Sequence, residues 1–287
     1  MFLVSAPSTA AWPMPGFLKG SMGVHLLAGG AAAAMPQHLG WAVAAVAANH
    51  AVMTIAGLLP RSSLLGPNMT RLSAAATEAG KICLTIDDGP DPQVTPAVLD
   101  LLEAHAIRAS FFCIGKRACQ HAALTREIVA RGHEVQNHSF VHRHNFSLLG
   151  PRGFAKEIAA GQQALFDVTG RWPRFFRAPA GLRNPFLDPV LHRLGLQLVS
   201  WTRRGYDTRE ADPQRVLQRL TRGLAGGDIL LLHDGHSARS MAGQPVIADV
   251  LPELGRVARR AGLQWSTLSE AKALPRHVDS PATVELA

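Results

Sequence analysis

The stretch Lys81-Ile-Cys-Leu-Thr-Ile-Asp-Asp-Gly-Pro90 joins a short apolar run, residues 81–86, to two adjacent carboxylates and a Gly-Pro turn. The run reads as a strand, and the turn chemistry ends it. Downstream, Thr95-Pro96 opens a helix, with Thr95 as the N-cap and Pro96 at the first helical position. Val98, Leu101 and Leu102 supply the apolar face of that helix. A second strand, residues 109–114, stops at Gly115. A helix over about residues 124–130 leads to residues 133–138, and a longer one covers about residues 154–168. Strand-like runs recur at residues 175–176, 196–201, 228–232 and 263–268, and Asp212-Pro213 repeats the cap-plus-proline start. Seven strands alternating with helices make an α/β fold with parallel strands and crossover helices. That count suits a distorted or incomplete (β/α) barrel as readily as an open sheet.

The ends of these runs hold the chemistry. Asp87, Asp88, His138, Arg177, Asp207 and His233 each close or follow a strand. In an α/β barrel those ends converge on one face, where active sites are built. Asp87-Asp88-Gly89-Pro90 also reads as a plain turn, but two adjacent carboxylates repel unless a cation or a basic partner is near. His138 and His142 stand four apart, so one helical turn puts both imidazoles on one face. The spacing alone is weak, since His133 and His144 make the region His-rich. A carboxylate with two imidazoles is nevertheless the composition of an open, catalytic zinc-type site. The second carboxylate remains free to act as a base. Arg177 reads as a solvated turn residue, or as a planar fork paired with that free carboxylate. His233 ends an apolar strand, where a structural histidine is the commoner reading; its place on the strand-end face reverses the preference.

Composition narrows the partners. The chain has 287 residues, 47% apolar, with a formal net charge of +8 and a pI of about 10.2. Its basic residues are scattered, without a Lys/Arg run or an aromatic-interleaved basic stripe, which speaks against nucleic acid. Cys83, Cys113 and Cys119 form no CxxC pair and no closed disulfide set. Free thiols suit a reducing compartment. No feature specifies an oligomeric state.

The first 60 residues differ from the rest, with Lys19 their one formal charge. Residues 41–59 form an uncharged run of bilayer length, interrupted by Asn49 and His50. Residues 21–35 are apolar and rich in Ala and Gly, which lets helices approach closely in lipid. Residues 1–60 are therefore expected to form a membrane-associated helical hairpin turning at residues 36–40. The alternatives are a buried soluble helix pair and a signal peptide; the latter lacks a basic start. Residues 61–78 read as a linker, residues 79–275 as the catalytic domain and residues 276–287 as a tail. Lys19, Arg61 and Arg71 flank the hairpin, and by the positive-inside rule they place the domain on the cytoplasmic face of a bacterial inner membrane.

Taken together, Thr85-Ile-Asp-Asp-Gly-Pro90, His138-Ser-Phe-Val-His142, Arg177-Ala-Pro-Ala-Gly181 and Leu231-Leu-His233 resemble, in order and spacing, the motifs of the polysaccharide deacetylases, carbohydrate esterase family 4 with the NodB homology domain. Ala109-Ser-Phe-Phe-Cys-Ile-Gly115 and Gly132-His-Glu-Val add to the resemblance, which covers about residues 79–275. It implies a seven-stranded distorted barrel and a divalent metal, usually zinc, on Asp88, His138 and His142. It further implies Asp87 as the base, His233 as the acid, and Arg177 and Asp207 as their supports. Pro179, Ala180, Gly181 and Leu231 fall at substrate-binding positions, with the Ala180 N–H facing the oxyanion. Two departures stand out: Ala180 replaces an aromatic residue common in the family, and Trp201-Thr-Arg-Arg-Gly-Tyr-Asp207 lacks the first Asp of its motif. The implied activity is removal of an N-acetyl or other N-acyl group from an amino sugar, in a polysaccharide or a lipid-linked glycan. O-deacetylation, deformylation, or an inactive carbohydrate-binding relative are the alternatives.

Overall fold

The structure, a computed structural model, describes residues 10–274; the expected tail, residues 276–287, lies outside the described residues. Two long helices come first, α1 (Gly16–Ala34) and α2 (Leu39–Leu58), joined by one 3-10 turn at Pro36–His38. Met35, which precedes Pro36, leaves the helical region (φ −138°, ψ 71°), as a residue before proline is biased to do, and so ends α1. The two helices run antiparallel. Asn49 donates to Ser21 Oγ at 2.7 Å, and the His25 and His50 Nε2 atoms meet at 3.1 Å. The polar residues that interrupt the second apolar run thus face the first helix. The hairpin's outer surface is apolar: Trp41 is 79% exposed, and Leu26 and Leu27 are each 76% exposed.

Residues 61–78 are more than a spacer. Leu65 and Leu72 are buried, Met69 pairs with Val199, and the Leu72 N–H donates to the Gly227 carbonyl at 2.9 Å. Ser73 then caps α3 (Ala74–Glu78) by accepting from the Ala76 N–H.

The rest alternates strand and helix: β1 (Lys81–Asp87), α4 (Thr95–Ala104), β2 (Ala109–Cys113), α5 (Gly115–Gln120), α6 (Ala122–Ala130), β3 (Glu134–Asn137), α7 (Pro151–Thr169), β4 (Phe175–Phe176), α8 (Leu187–Arg193), β5 (Gln197–Leu198), β6 (Arg203–Arg204), α9 (Pro213–Thr221), β7 (Ile229–His233), α10 (Val246–Arg260), β8 (Gln264–Trp265) and α11 (Leu268–Ala273). Seven strands form one parallel ladder in the order β5-β4-β3-β2-β1-β7-β6, and β8 pairs with the first residues of β1. The ladder curls into a distorted (β/α) barrel that stays open between β5 and β6. The backbone of Met69 lies against β5 on that open side.

The strand count agrees with expectation, but the membership shifts. β6 enters the ladder although Arg203-Arg204 carries no apolar signal, while residues 263–268 contribute only the two-residue β8. Thr95 is also not a cap: helix α4 begins at Thr95 itself. Its hydroxyl accepts from the Asp91 N–H at 2.8 Å and donates to the Asp234 carboxylate. Asp212 does cap α9, accepting from the Gln214 N–H at 2.9 Å.

Strand alternation sorts the core and aims the site. Ile82, Leu84 and Ile86 pack outward against α4 and α10, with Phe111, Leu230 and Leu232 beside them. Cys83, Phe112, Phe175, Val199, Trp201 and Leu231 fill the barrel interior. Burying each such side chain contributes about 1.5–3 kcal/mol. Because side chains alternate, Thr85 and Asp87 share the inward face with Cys83. The register sets Asp87 directly opposite His233 of β7, and opposite Phe112 of β2.

Candidate active site

Asp87 is the last residue of β1 and is 3% exposed. Below it lies Arg177, fully buried just past β4. Arg177 Nη1 donates to Asp87 Oδ1 at 2.6 Å and to Thr85 Oγ1 at 2.8 Å. Nη2 and Nε instead donate to the carbonyls of Ser200 (2.8 Å) and Val199 (3.2 Å). The fork therefore does not grip the carboxylate with both arms, as the sequence suggested. One arm holds Asp87 and the others tie it to the strand beyond. A buried guanidinium needs this full set of acceptors to offset its lost hydration.

Asp88 leaves the strand with φ +74° and turns its carboxylate toward the histidines. Its Oδ1 lies 3.3 Å from His138 Nε2 and 3.3 Å from His142 Nε2. His138 follows β3 directly, and its Nδ1 meets the Arg177 carbonyl at 2.8 Å. A proton on Nδ1 donates there and leaves the Nε2 lone pair facing Asp88. His142 is not one helical turn further on. Residues 138–142 form a loop, with Ser139 at φ +66° and His142 at φ +53°. The Ser139 hydroxyl accepts the His142 N–H at 3.0 Å and pins the loop. The two imidazoles converge all the same, with ring centroids 4.9 Å apart.

This trio fits a metal ion. The candidate ligand atoms of Asp88, His138 and His142 all lie within 4.8 Å of one another. Two ligands about 2.0–2.1 Å from one tetrahedral ion stand about 3.3 Å apart, the spacing from Asp88 Oδ1 to each Nε2. Asp88 Oδ1 is buried and, among the described residues, has no hydrogen-bond donor. The charge states agree. Burial opposes ionisation of Asp88, yet His138 and His236 beside it hold its carboxyl well below the usual range. Burial and the neighbouring His138 push His142 down to about 4, so it is a neutral ligand near pH 7. Burial lowers His138 too, but Asp87 and Asp88 outweigh it and raise its pKa; a cation bound there competes with that proton.

On the opposite wall, His233 ends β7. Asp207, fully buried, accepts the His233 N–H through Oδ2 at 2.7 Å and meets Nδ1 through Oδ1 at 3.0 Å. Nε2 is the ring nitrogen left free. Burial works against the imidazolium, but Asp207, with Asp87 and Asp88 behind it, outweighs burial and raises the pKa to about 9.

Asp87, Asp88, His138, His142 and His233 line a cleft of about 330 Å3, with Arg177 and Asp207 buried behind them. Ala180, Gly181 and Leu231 line it as well, whereas Pro179 lies buried beneath the turn. Ala180 (φ +57°) and Gly181 (φ +74°) both take left-handed backbone. A Cβ on Gly181 would fall 2.7 Å from the Trp201 ring and 2.8 Å from Pro60, so only glycine fits. Sequence reasoning passed over His236, whose Nδ1 lies 3.2 Å from Asp88 Oδ2, and Asp234. It also passed over Arg204 and Arg209 at the cleft wall. The signal for His236 and Asp234 was their place directly after His233, on the same strand end. Arg204 and Arg209 carried none, being polar residues in a polar stretch.

Residues 74–199 match the polysaccharide deacetylase family. A peptidoglycan-N-acetylglucosamine deacetylase of Bacillus cereus is 33% identical over 191 residues, 66% of this chain and 86% of that protein. A chitooligosaccharide deacetylase of Azorhizobium caulinodans is 34% identical over 155 residues, 54% of this chain and 73% of that one. Among solved structures, the family 4 carbohydrate esterase of Streptomyces lividans in complex with acetate has a TM-score of 0.59 and 31% identity, covering 65% of this chain and 92% of that one. A family 4 pseudoenzyme of Bacillus anthracis, at 20% identity and a TM-score of 0.63 over 71% of this chain and 68% of that one, shares the fold. The chain belongs to the polysaccharide deacetylase family and is an amide-bond hydrolase of the carbohydrate esterase 4 type.

Proposed function

We propose that the protein removes an N-acetyl, or other N-acyl, group from an amino sugar, in a glycan polymer or on a lipid carrier. Asp88, His138 and His142 would hold a divalent ion, and zinc suits two imidazoles and one carboxylate. When bound, such an ion supplies Lewis-acid polarisation of the acyl oxygen and acidifies water. Asp87, held in place by Arg177, accepts the proton of the attacking water. The water oxygen bonds to the acyl carbon, and the Ala180 N–H faces the developing oxyanion. His233, held by Asp207, gives its proton to the sugar nitrogen as the C–N bond breaks. The products are acetate and a free amino sugar.

The observation that carries this reading is the partnerless Asp88 Oδ1, set 3.3 Å from two imidazole nitrogens beside a separately anchored carboxylate. The relatives support the substrate class, since their names describe deacetylases of peptidoglycan N-acetylglucosamine and of chitooligosaccharides. The test is acetate release from chitotetraose alongside metal analysis of the purified protein. We expect one ion per chain in the wild type, and loss of both ion and acetate release in the His138→Ala, His142→Ala double variant. Full metal occupancy in that variant refutes the site.

The hairpin supports placement on a membrane. Pro36–Leu58 is 23 residues long, apolar and almost wholly exposed. We assign it as an anchor in the bacterial inner membrane, with the domain on the cytoplasmic face.

A further inference from the structure

A second groove of about 670 Å3 adjoins the catalytic cleft and shares Trp201 and Arg204 with it. One wall is the segment that leaves α2, including Leu59, Pro60, Arg61 and Leu64; the other is Trp201, Arg204 and Tyr206. The α2-side wall lies outside residues 74–199, so it belongs to this chain's own N-terminal segment.

Arg204 is the unusual group there. Its guanidinium carbon sits 5.2 Å from the Trp201 ring centroid and 5.0 Å from that of Tyr206. Two aromatic faces thus fix it in place. Its Nε is buried without a hydrogen-bond partner. Among the described residues no carboxylate pairs with Arg204, or with Arg61 and Arg209 nearby. Arg61 leans on the same strand, donating to the Thr202 carbonyl at 3.3 Å. Nε is enclosed, so the donors open to an oxyanion are the two Nη groups, which make no hydrogen bond among the described residues and lie beside a second cation. The rim is apolar on one side only: Leu59 is 55% exposed and Leu64 is 46% exposed, and they continue the apolar surface of α2.

We propose that this groove takes a phosphate ester carried by the substrate, an N-acylated amino sugar joined through phosphate to an apolar chain. The proposal rests on the deacylase reading and narrows its substrate. The sugar occupies the catalytic cleft, its phosphate meets Arg204 and Arg61, and the chain follows Leu59 toward α2.

The experiment compares three substrates on the full-length protein in detergent: N-acetylglucosamine linked to citronellol through phosphate, the same sugar linked to citronellol directly, and a uridine diphosphate sugar. We expect kcat/KM to favour the phosphate-linked lipid over the direct glycoside by about tenfold or more, the worth of a hydrogen bond to a charged group. That ratio should fall toward one in Arg204→Gln and drop as salt screens the charges. A wild-type ratio near one, or a ratio that Arg204→Gln leaves intact, overturns the subsite. Equal preference for the uridine diphosphate sugar overturns the apolar-chain assignment and leaves a nucleotide as the phosphate's source. If no substrate is turned over, the deacylase reading fails on its own, and calorimetric titration with citronellyl phosphate still decides the subsite. Binding about tenfold weaker in Arg204→Gln supports it; equal or absent binding removes it. Should Arg204→Gln fail to fold, the exposed Arg61→Gln must show the same direction of change.

Discussion

Asp87 and Asp88 are adjacent, yet their surroundings pull them apart chemically. Asp87 points into the barrel and meets a fixed guanidinium; Asp88 turns out at φ +74° and meets two imidazoles. In the proposed mechanism one carboxylate is committed to the cation site, while the other keeps an oxygen for a proton. Across the cleft, His233 is held protonated near neutrality by Asp207. The pH profile of turnover follows from these roles. The acid must carry its proton, so turnover falls as pH rises through the His233 pKa. That alkaline limb lies at or below about 9, since a cation in the neighbouring site favours loss of the His233 proton. In the proposed mechanism Asp87 accepts the water's proton. Asp87→Asn and His233→Ala should each keep the bound ion and lose between about a hundredfold and ten-thousandfold in kcat. His233→Ala should lose the alkaline limb. Metal content and kcat across pH check this together, and near wild-type turnover in Asp87→Asn removes it as the base.

At the scale of elements, the strand ends carried most of what was legible. Residues 81–87 and 229–233 read plainly because apolar runs stop on polar residues, and their parallel pairing then places Asp87 opposite His233. The loop at residues 138–142 was legible in composition and not in shape. Its imidazoles converge through left-handed backbone at Ser139 and His142, which spacing alone does not disclose. β6 was invisible because Arg203-Arg204 lacks an apolar pattern; its pairing with β7 is imposed by the sheet. A close joint between elements is Gly181, where the turn after β4 meets Trp201 and the Pro60 end of the hairpin segment. Gly181→Ala adds a methyl group into that contact and strains a φ of +74°. Gly170→Ala, at φ +69° with open space around it, strains the backbone alone. We expect Gly170→Ala to cost about 1 kcal/mol in urea unfolding, and Gly181→Ala about 1–3 kcal/mol more. Equal losses would show that the Pro60–Trp201 contact is loose.

The whole molecule ties its hairpin to its catalytic face. Trp12 Nε1 donates to Asp188 Oδ2 at 2.7 Å, and the Arg183 N–H donates to the Gly57 carbonyl at 3.1 Å. The open end of the hairpin is therefore docked on the domain, and the turn at Pro36–His38 points the other way along the helices. With α2 across a bilayer, Lys19 and Arg61 lie on the domain's side, and the turn, with no Lys or Arg, lies opposite. The positive-inside rule would then put the domain in the cytoplasm, the placement we propose. Buried Cys83 and Cys113 and exposed Cys119, all unpaired, are compatible with a reducing compartment. In that proposed placement the active site would meet lipid-linked precursors before any finished wall polymer. A reporter fused after Ala287 decides the orientation. Green fluorescence with no alkaline phosphatase activity is expected; phosphatase activity without fluorescence would put the domain outside and leave the basic flanks without their role.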